Sequence, residues 1–194
     1  MSELEDQRSG RNKATQVNKT YINSGDYRRK FDSITGSSSL NRLFYQLAKK
    51  MLLHRAGTIL EDMYWIDVST EEVVASETSD SNEEHIDYSS STKKAIKGNP
   101  QLITIHSHPG SFPPSISDFN SNFLHEYQLG IVVCHDGTVY VYSSEQHIRE
   151  DYYNQVVADY LKMGYTETEG QKAALHELQR NFKIHFMEVT NDGI

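Results

Sequence analysis

The chain of 194 residues contains a single cysteine, Cys134. One cysteine excludes an internal disulfide framework and a zinc cluster built from several thiolates. The sequence also lacks any apolar run near the roughly 20 residues that a membrane-spanning helix needs. The first residues, MSELEDQRSGRNK, contain no hydrophobic signal core. These absences predict a protein of the reducing cytoplasm with no membrane partner.

Positive charge is scarce as well. Lysine and arginine number 19 against 27 aspartate and glutamate residues, which gives a formal net charge of -8. This balance argues against a general nucleic-acid binder, because such a protein needs a basic face to meet the phosphates. With 37% hydrophobic and 10% aromatic residues, the chain can bury a core of ordinary size.

The periodicity of apolar residues predicts an α/β (α+β) fold, a mixed β-sheet with hairpins flanked by helices. Apolar residues from Leu40 to Met51 recur at helical spacing, with serines before them as N-caps and Gly57 as a stop. Further helices are predicted at 91–98, after Ser115, at 147–163 and at 169–182. Strands are predicted at 61–68, 72–76, 101–108, 129–135, 138–144 and 184–189.

Three regions follow from this pattern. Residues 1–36 are polar without an apolar period and are predicted to form a flexible N-terminal segment. Residues 37–145 are predicted to form the core of the domain. Residues 146–194 are predicted to form a C-terminal helical extension, with a final strand that packs on that core.

The segment HSHPGSFPPSISD, from His106 to Asp118, predicts a metal site. Alternate side chains on a strand share a face, so the imidazoles of His106 and His108 project to the same side. Ser115 caps the next helix and places Asp118 in its first turn. Two histidines and one carboxylate leave a fourth tetrahedral position open, which is typical of a catalytic zinc site. Taken alone, Ser115 and Asp118 are equally an ordinary capping box.

This segment resembles the signature of the JAMM (MPN-plus) zinc metallopeptidases, in which His-x-His-Pro is followed by a loop and Ser-x-x-Asp. The resemblance covers about residues 40–144 and implies a cytidine-deaminase-like architecture. It implies Zn²⁺ held by His106, His108 and Asp118, with Ser115 holding an oxyanion or orienting water. The loop between His108 and Ser115 has six residues, where the family usually has seven. The turn must therefore be tighter, and Asp118 is the ligand that depends on it.

The resemblance also requires an upstream glutamate as general base, and Glu61 stands at the expected place. It precedes the apolar segment DMYWIDV, where partial burial would raise the pKa of its carboxyl group. The alternative is a solvated residue at a strand edge. Other glutamates in this region fall in a turn, in the second strand or in the acidic loop at 77–92.

The resemblance implies hydrolysis of a peptide or isopeptide bond, at the C-terminal tail of ubiquitin or a ubiquitin-like protein in members of the family. Such tails add as a strand beside the site, and the loop at 77–92 is a candidate for holding one. The segments HRAGT and EDMYWID resemble bacterial or phage-borne members, which implies a bacterial cytoplasm or delivery to a host cell. Three alternatives stay open: a non-catalytic scaffold, a hydrolase of another bond, and a DNA-repair relative.

Overall fold

The computed structural model describes residues 15–79, 81–83 and 86–190. Within these residues no helix is long and apolar enough to cross a membrane. The seven helices of the described chain are α1 Lys19–Ile22, α2 Gly25–Arg29, α3 Ser38–Arg55, α4 Ser90–Ile96, α5 Ile116–Leu124, α6 Glu150–Lys162 and α7 Glu167–Asn181. The six strands are β1 Met63–Asp67, β2 Glu72–Glu77, β3 Leu102–His108, β4 Leu129–Cys134, β5 Val139–Ser144 and β6 Ile184–Glu188.

The six strands form one mixed sheet in the order β2-β1-β3-β4-β5-β6, flanked by helices. The predicted α/β fold class is therefore confirmed. Strands β3 and β4 are parallel, and every other neighbouring pair is antiparallel. The Asp136-Gly137 hairpin joins β4 to β5, with Gly137 at a φ of 90°. The cytidine-deaminase-like architecture stays a prediction, because the sheet order alone does not test it.

Helix α3 covers one face of the sheet and confirms the strongest periodic pattern in the sequence. The side chain of Ser37 accepts a hydrogen bond from the backbone N–H of Leu40, and this cap starts the helix. The helix buries Phe44, Ala48 and Met51 against the valines and isoleucines of β3, β4 and β5. This apolar contact fixes the end of α3 next to the start of β1.

The opposite face of the sheet is covered by α5, α6 and α7. Phe119 of α5, Leu175 and Leu178 of α7 and Phe186 of β6 are fully buried or nearly so there. Strand β6 pairs with β5, so the C-terminal region contributes to the central sheet as well as to the helical layer. The division of the chain at residues 36 and 145 stays a prediction.

Residues 15–36 differ from the flexible segment that the sequence predicts. They contain α1 and α2, and Ile22, Tyr27 and Phe31 have no exposed surface. The rings of Tyr27 and Phe31 meet edge to face at 5.3 Å, and both contact Tyr45 of α3. Ile22 and Tyr27 lie in one-turn helices and Phe31 in the turn that follows, so the segment is too short to show a helical period in the sequence. Residues 1–14 lie outside the described part of the chain.

The ring of Tyr142 from β5 lies over Gly130 of β4. A Cβ atom at Gly130 would lie 2.1 Å from Cζ of Tyr142, far inside van der Waals contact. The same ring is edge-on to the imidazole of His106, with centroids 6.4 Å apart. Gly130 therefore makes room for an aromatic ring beneath the predicted metal site.

We predict that Gly130→Ala lowers the free energy of unfolding by about 1–3 kcal/mol, since the buried Tyr142 ring must move to relieve the overlap. Urea denaturation measures this change. Gly36→Ala is the control, because a Cβ there meets no atom within 4 Å. Its stability should stay within about 0.5 kcal/mol of the wild type. Equal stabilities for the two variants would contradict the steric role of Gly130.

Candidate metal centre

His106 and His108 bring their imidazole rings together at the end of β3. Their Nε2 atoms lie 3.0 Å apart, and the residues are 1% and 7% exposed. Both side chains leave the same face of the strand, as the alternation of the sequence predicts. Two buried ring nitrogens this close to each other could both bind one metal ion.

The backbone carbonyl of Phe112 sets the orientation of His108. This oxygen lies 3.0 Å from Nδ1 of His108, so the ring donates there and leaves the Nε2 lone pair free for a metal. The thiol of Cys134 donates to the same oxygen at 3.3 Å. Nδ1 of His106 is buried and has no hydrogen-bond partner in the described part of the chain. The loop after β3 thus orients one of the two histidines.

Asp118 reaches both histidines although the preceding loop is one residue short. Its Oδ1 lies 3.3 Å from Nε2 of His106, and its Oδ2 lies 3.7 Å from Nε2 of His108. Ser115 caps α5 and donates to Oδ2 from its backbone N–H at 2.7 Å and from its hydroxyl at 2.8 Å. Because Ser115 holds Oδ2, the Oδ1 atom of Asp118 faces His106.

Glu61 lies just before β1, on the other side of the imidazole pair. Its Oε1 is 3.8 Å from Nε2 of His108. Glu61, His106 and His108 form a group whose ligand atoms all lie within 4.8 Å of one another. Asp118 is not a member of that group, although it approaches His106 more closely than Glu61 approaches His108. The geometry thus offers two carboxylates for the third ligand position.

The two carboxylates differ in their electrostatic surroundings. Burial raises the pKa of Glu61, and the nearby histidines offset this only in part. Burial would also raise the pKa of Asp118, but His106, His108 and the Ser115 hydroxyl hold it well below its usual value. Burial lowers the pKa of His106, yet Asp118 and Glu61 bring it above the ordinary value. The surroundings thus lower the pKa of one carboxyl group of the centre, Asp118, and raise that of the other, Glu61.

Asp62 holds Glu61 in place. Its buried carboxylate accepts from Nε of Arg55 at 2.6 Å and lies 2.7 Å from Nδ1 of His54. Its backbone N–H donates to the Ser107 hydroxyl, and its carbonyl accepts from the Ser107 N–H, both at 3.0 Å. The end of α3, the start of β1 and the residue between the two histidines are therefore joined at one point.

The spacing of the donor atoms fits a tetrahedral metal ion. Ligands at about 2.0–2.1 Å from zinc lie about 3.3 Å apart along the edges of a tetrahedron. The Nε2 atoms of the two imidazoles are 3.0 Å apart, slightly less than this value. Oε1 of Glu61 is 3.8 Å from Nε2 of His108, slightly more than this value. Two imidazoles with a carboxylate are also a typical zinc donor set. The residues present therefore fit the ion that the sequence implies.

The centre opens into a cleft of about 560 Å³. Ile86 and Tyr88, from the loop after β2, form one wall. Glu150 and Tyr153 of α6, with Glu167 of α7, line the opposite side. The C-terminal helices therefore shape the cleft as well as complete the fold.

Several residues of the site carry no signal in the sequence. Asp62 has no motif to mark it, and its partner Arg55 is seven positions away. His54 and Arg55 are expected from the sequence to complement the dipole of α3, near enough to Glu61 to orient it. Both lie in the last turn of α3 as expected, and both also contact Asp62, which directly follows Glu61 in the chain. The sequence likewise does not mark the Phe112 carbonyl as a hydrogen-bond acceptor for His108, because every residue has a backbone carbonyl.

No protein-family model, curated protein or solved structure matches this chain in sequence or fold.

We predict that Asp118→Asn weakens zinc binding by more than about 100-fold, beyond the loss expected for an outer-shell partner. The amide oxygen can still accept from the N–H of Ser115, so the start of α5 stays intact. Glu61→Gln should weaken binding by about tenfold or less, if Glu61 is the base and not a ligand. Competition with a chromophoric chelator measures both affinities. If Glu61→Gln weakened zinc binding more than Asp118→Asn, Glu61 would be the third ligand.

Proposed function

We propose that this protein is a zinc-dependent metallopeptidase of the JAMM type that hydrolyses a peptide or isopeptide bond. The observation that carries the proposal is the convergence of two imidazoles and two carboxylates at the end of β3, inside an open cleft. His106, His108 and Asp118 would hold the ion. When bound, zinc would polarise the substrate carbonyl and lower the pKa of water.

Glu61 is the general base of the proposed reaction. Its carboxylate accepts a proton from the attacking water and then delivers that proton to the departing nitrogen. Partial burial suits this exchange, because it raises the pKa of Glu61 toward the working pH. Asp62 and Ser107 keep the backbone of Glu61 beside His108 while the proton moves.

Ser115 is proposed to assist the oxyanion that forms when water attacks the carbonyl. In the structure its hydroxyl donates to Asp118 and accepts from the N–H of the same residue. A contact with substrate therefore requires the hydroxyl to turn away from Asp118. The role of Ser115 as a positioning residue for Asp118 needs no such movement.

The charge of the cleft favours a peptide over a nucleic acid. Four carboxylates line it, and its described lining residues include no lysine or arginine. A phosphodiester would be repelled by these groups, whereas an amide is neutral. This distribution argues against a DNA-repair or phosphoester function on the same fold.

Strand β2 offers a place for an extended protein substrate. It is the edge of the sheet, and in the described residues its outer side pairs with no strand. Glu77 at its end pairs with Met63, and Met63 pairs with His106, so this edge ends near the centre. A substrate tail that adds to β2 would arrive at the metal in extended form. We propose a tail of the ubiquitin-like type, met in a bacterial cytoplasm or in a host cell.

We predict that the protein cleaves members of a panel of ubiquitin-like C-terminal amides, and that a chelator abolishes cleavage until zinc is restored. Glu61→Gln should lower turnover by about 10²- to 10⁴-fold, the range of general acid–base catalysis. Steady-state kinetics on the zinc-loaded variant measures this loss.

Glu145→Gln is the matched control, since Glu145 is exposed and does not line the cleft. Its turnover should equal that of the wild type. A fully active Glu61→Gln variant would remove Glu61 as the base. A purified protein that takes up no zinc would favour a non-catalytic scaffold.

A further inference from the structure

A second cavity, of about 600 Å³, lies next to the metal cleft. It is formed by α4, the turn that follows this helix, and the end of α5. Its apolar side includes Tyr88, Ile96 and Leu124. Leu124 is 73% exposed, which is unusual for a leucine at the end of a packed helix. The cavity therefore offers apolar surface that the fold itself does not cover.

The rim of this cavity is basic. Lys93 of α4 and Lys97, the C-cap of that helix, lie one helical turn apart, and neither has an ion-pair partner in the described part of the chain. His125 also lines the cavity, and burial lowers the pKa of its ring, so it is mainly neutral at pH 7. Among the described lining residues Glu126 is the single acidic one. Two lysines with no ion-pair partner in the described chain, beside apolar side chains, suit a ligand with apolar and anionic groups.

Tyr88 separates this cavity from the metal cleft, because its ring lines both. The ring is held edge-on against Trp65 at 4.9 Å, and its hydroxyl lies 3.5 Å from Oγ of Ser121. The two cavities carry opposite charge on either side of this ring. A chain with an acidic segment would be repelled from the metal cleft and attracted to the lysines, which would fix its direction.

We propose that the second cavity binds a short acidic and apolar segment of the protein substrate, a few residues from the bond that is cleaved. Leu124, Ile96 and Tyr88 receive the apolar side chain, and Lys93 and Lys97 meet the carboxylates beside it. The assignment to a substrate rests on the proposed peptidase function. The binding of the segment itself does not, and it can be measured without turnover.

The test uses the zinc-loaded full chain and two fluorescein-labelled peptides, GDLEFDG and its basic counterpart GKLKFKG. Fluorescence anisotropy should show that the acidic peptide binds and the basic one does not, with affinity falling as salt is raised. Lys93→Glu and Lys97→Glu should each weaken binding by about fivefold or more, because attraction becomes repulsion. Leu124→Ser should weaken it through the apolar contact alone.

Lys94→Glu is the matched control, since Lys94 lies on the same helix but lines neither cavity. Met163→Ser is the control for Leu124→Ser, since Met163 is 72% exposed and lines neither cavity. Both controls should bind the acidic peptide as the wild type does. Equal binding of the two peptides, no binding of either, or an equal loss with Lys94→Glu would overturn the proposal.

A second measurement connects the cavity to catalysis. An amide substrate that carries the acidic segment should show a lower KM than one without it, at unchanged kcat. Lys93→Glu should remove this advantage and leave the plain substrate unaffected. If the peptide binds but no amide is cleaved, the cavity assignment stands and the peptidase proposal falls. If the substrates with and without the acidic segment have the same KM, the segment is not part of the substrate.

Discussion

The candidate metal centre depends on the reciprocal pair of hydrogen bonds between Asp62 and Ser107. Ser107 lies between the two histidines on β3, and Asp62 directly follows Glu61. These hydrogen bonds therefore place Glu61 beside the imidazoles without any contact to a metal or a substrate. The same pairing continues β1 along β3, where Met63 lies opposite His106. The position of the proposed base is thus a consequence of strand register, which is stiff because a slip of one residue would turn every side chain to the other face.

Asp62 also explains why a buried charge is kept beside the centre. Its carboxylate is 1% exposed and is neutralised by Arg55, whose side chain is itself buried, and Nδ1 of His54 at the rim lies 2.7 Å from it. A buried ion pair adds little net stability, yet losing one partner costs about 3–5 kcal/mol because the other charge is left in the interior. The ion pair between Arg55 and Asp62 therefore serves mainly to hold these two residues in position. It ties the last turn of α3 to the first residue of β1, so the helix that covers one face of the sheet also holds the chain that carries Glu61.

Local patterns predicted the parts of this site that lie close in sequence. Strand alternation placed His106 and His108 on one face, and the capping box placed Asp118 at the start of α5. The contacts that complete the site join residues far apart in sequence, such as Arg55 with Thr78 and Tyr88 with Ser121. Such contacts follow from how helices pack on the sheet, which periodicity does not specify. Periodicity also does not mark the buried residues Ile22, Tyr27 and Phe31, because a one-turn helix is too short to repeat its apolar face.

The two proposed roles, Asp118 as metal ligand and Glu61 as base, follow from the hydrogen bonds of each carboxylate. Asp118 receives two bonds on Oδ2 from Ser115 at a helix N-terminus, and both stabilise its anion. Glu61 receives no hydrogen bond from the described residues, and burial raises its pKa. An anion held in one geometry suits a ligand, whereas a carboxyl group that gains and loses a proton suits a base. Although Glu61 completes the more compact group with the histidines, its surroundings therefore suit the proposed role of base, and those of Asp118 suit the proposed role of metal ligand.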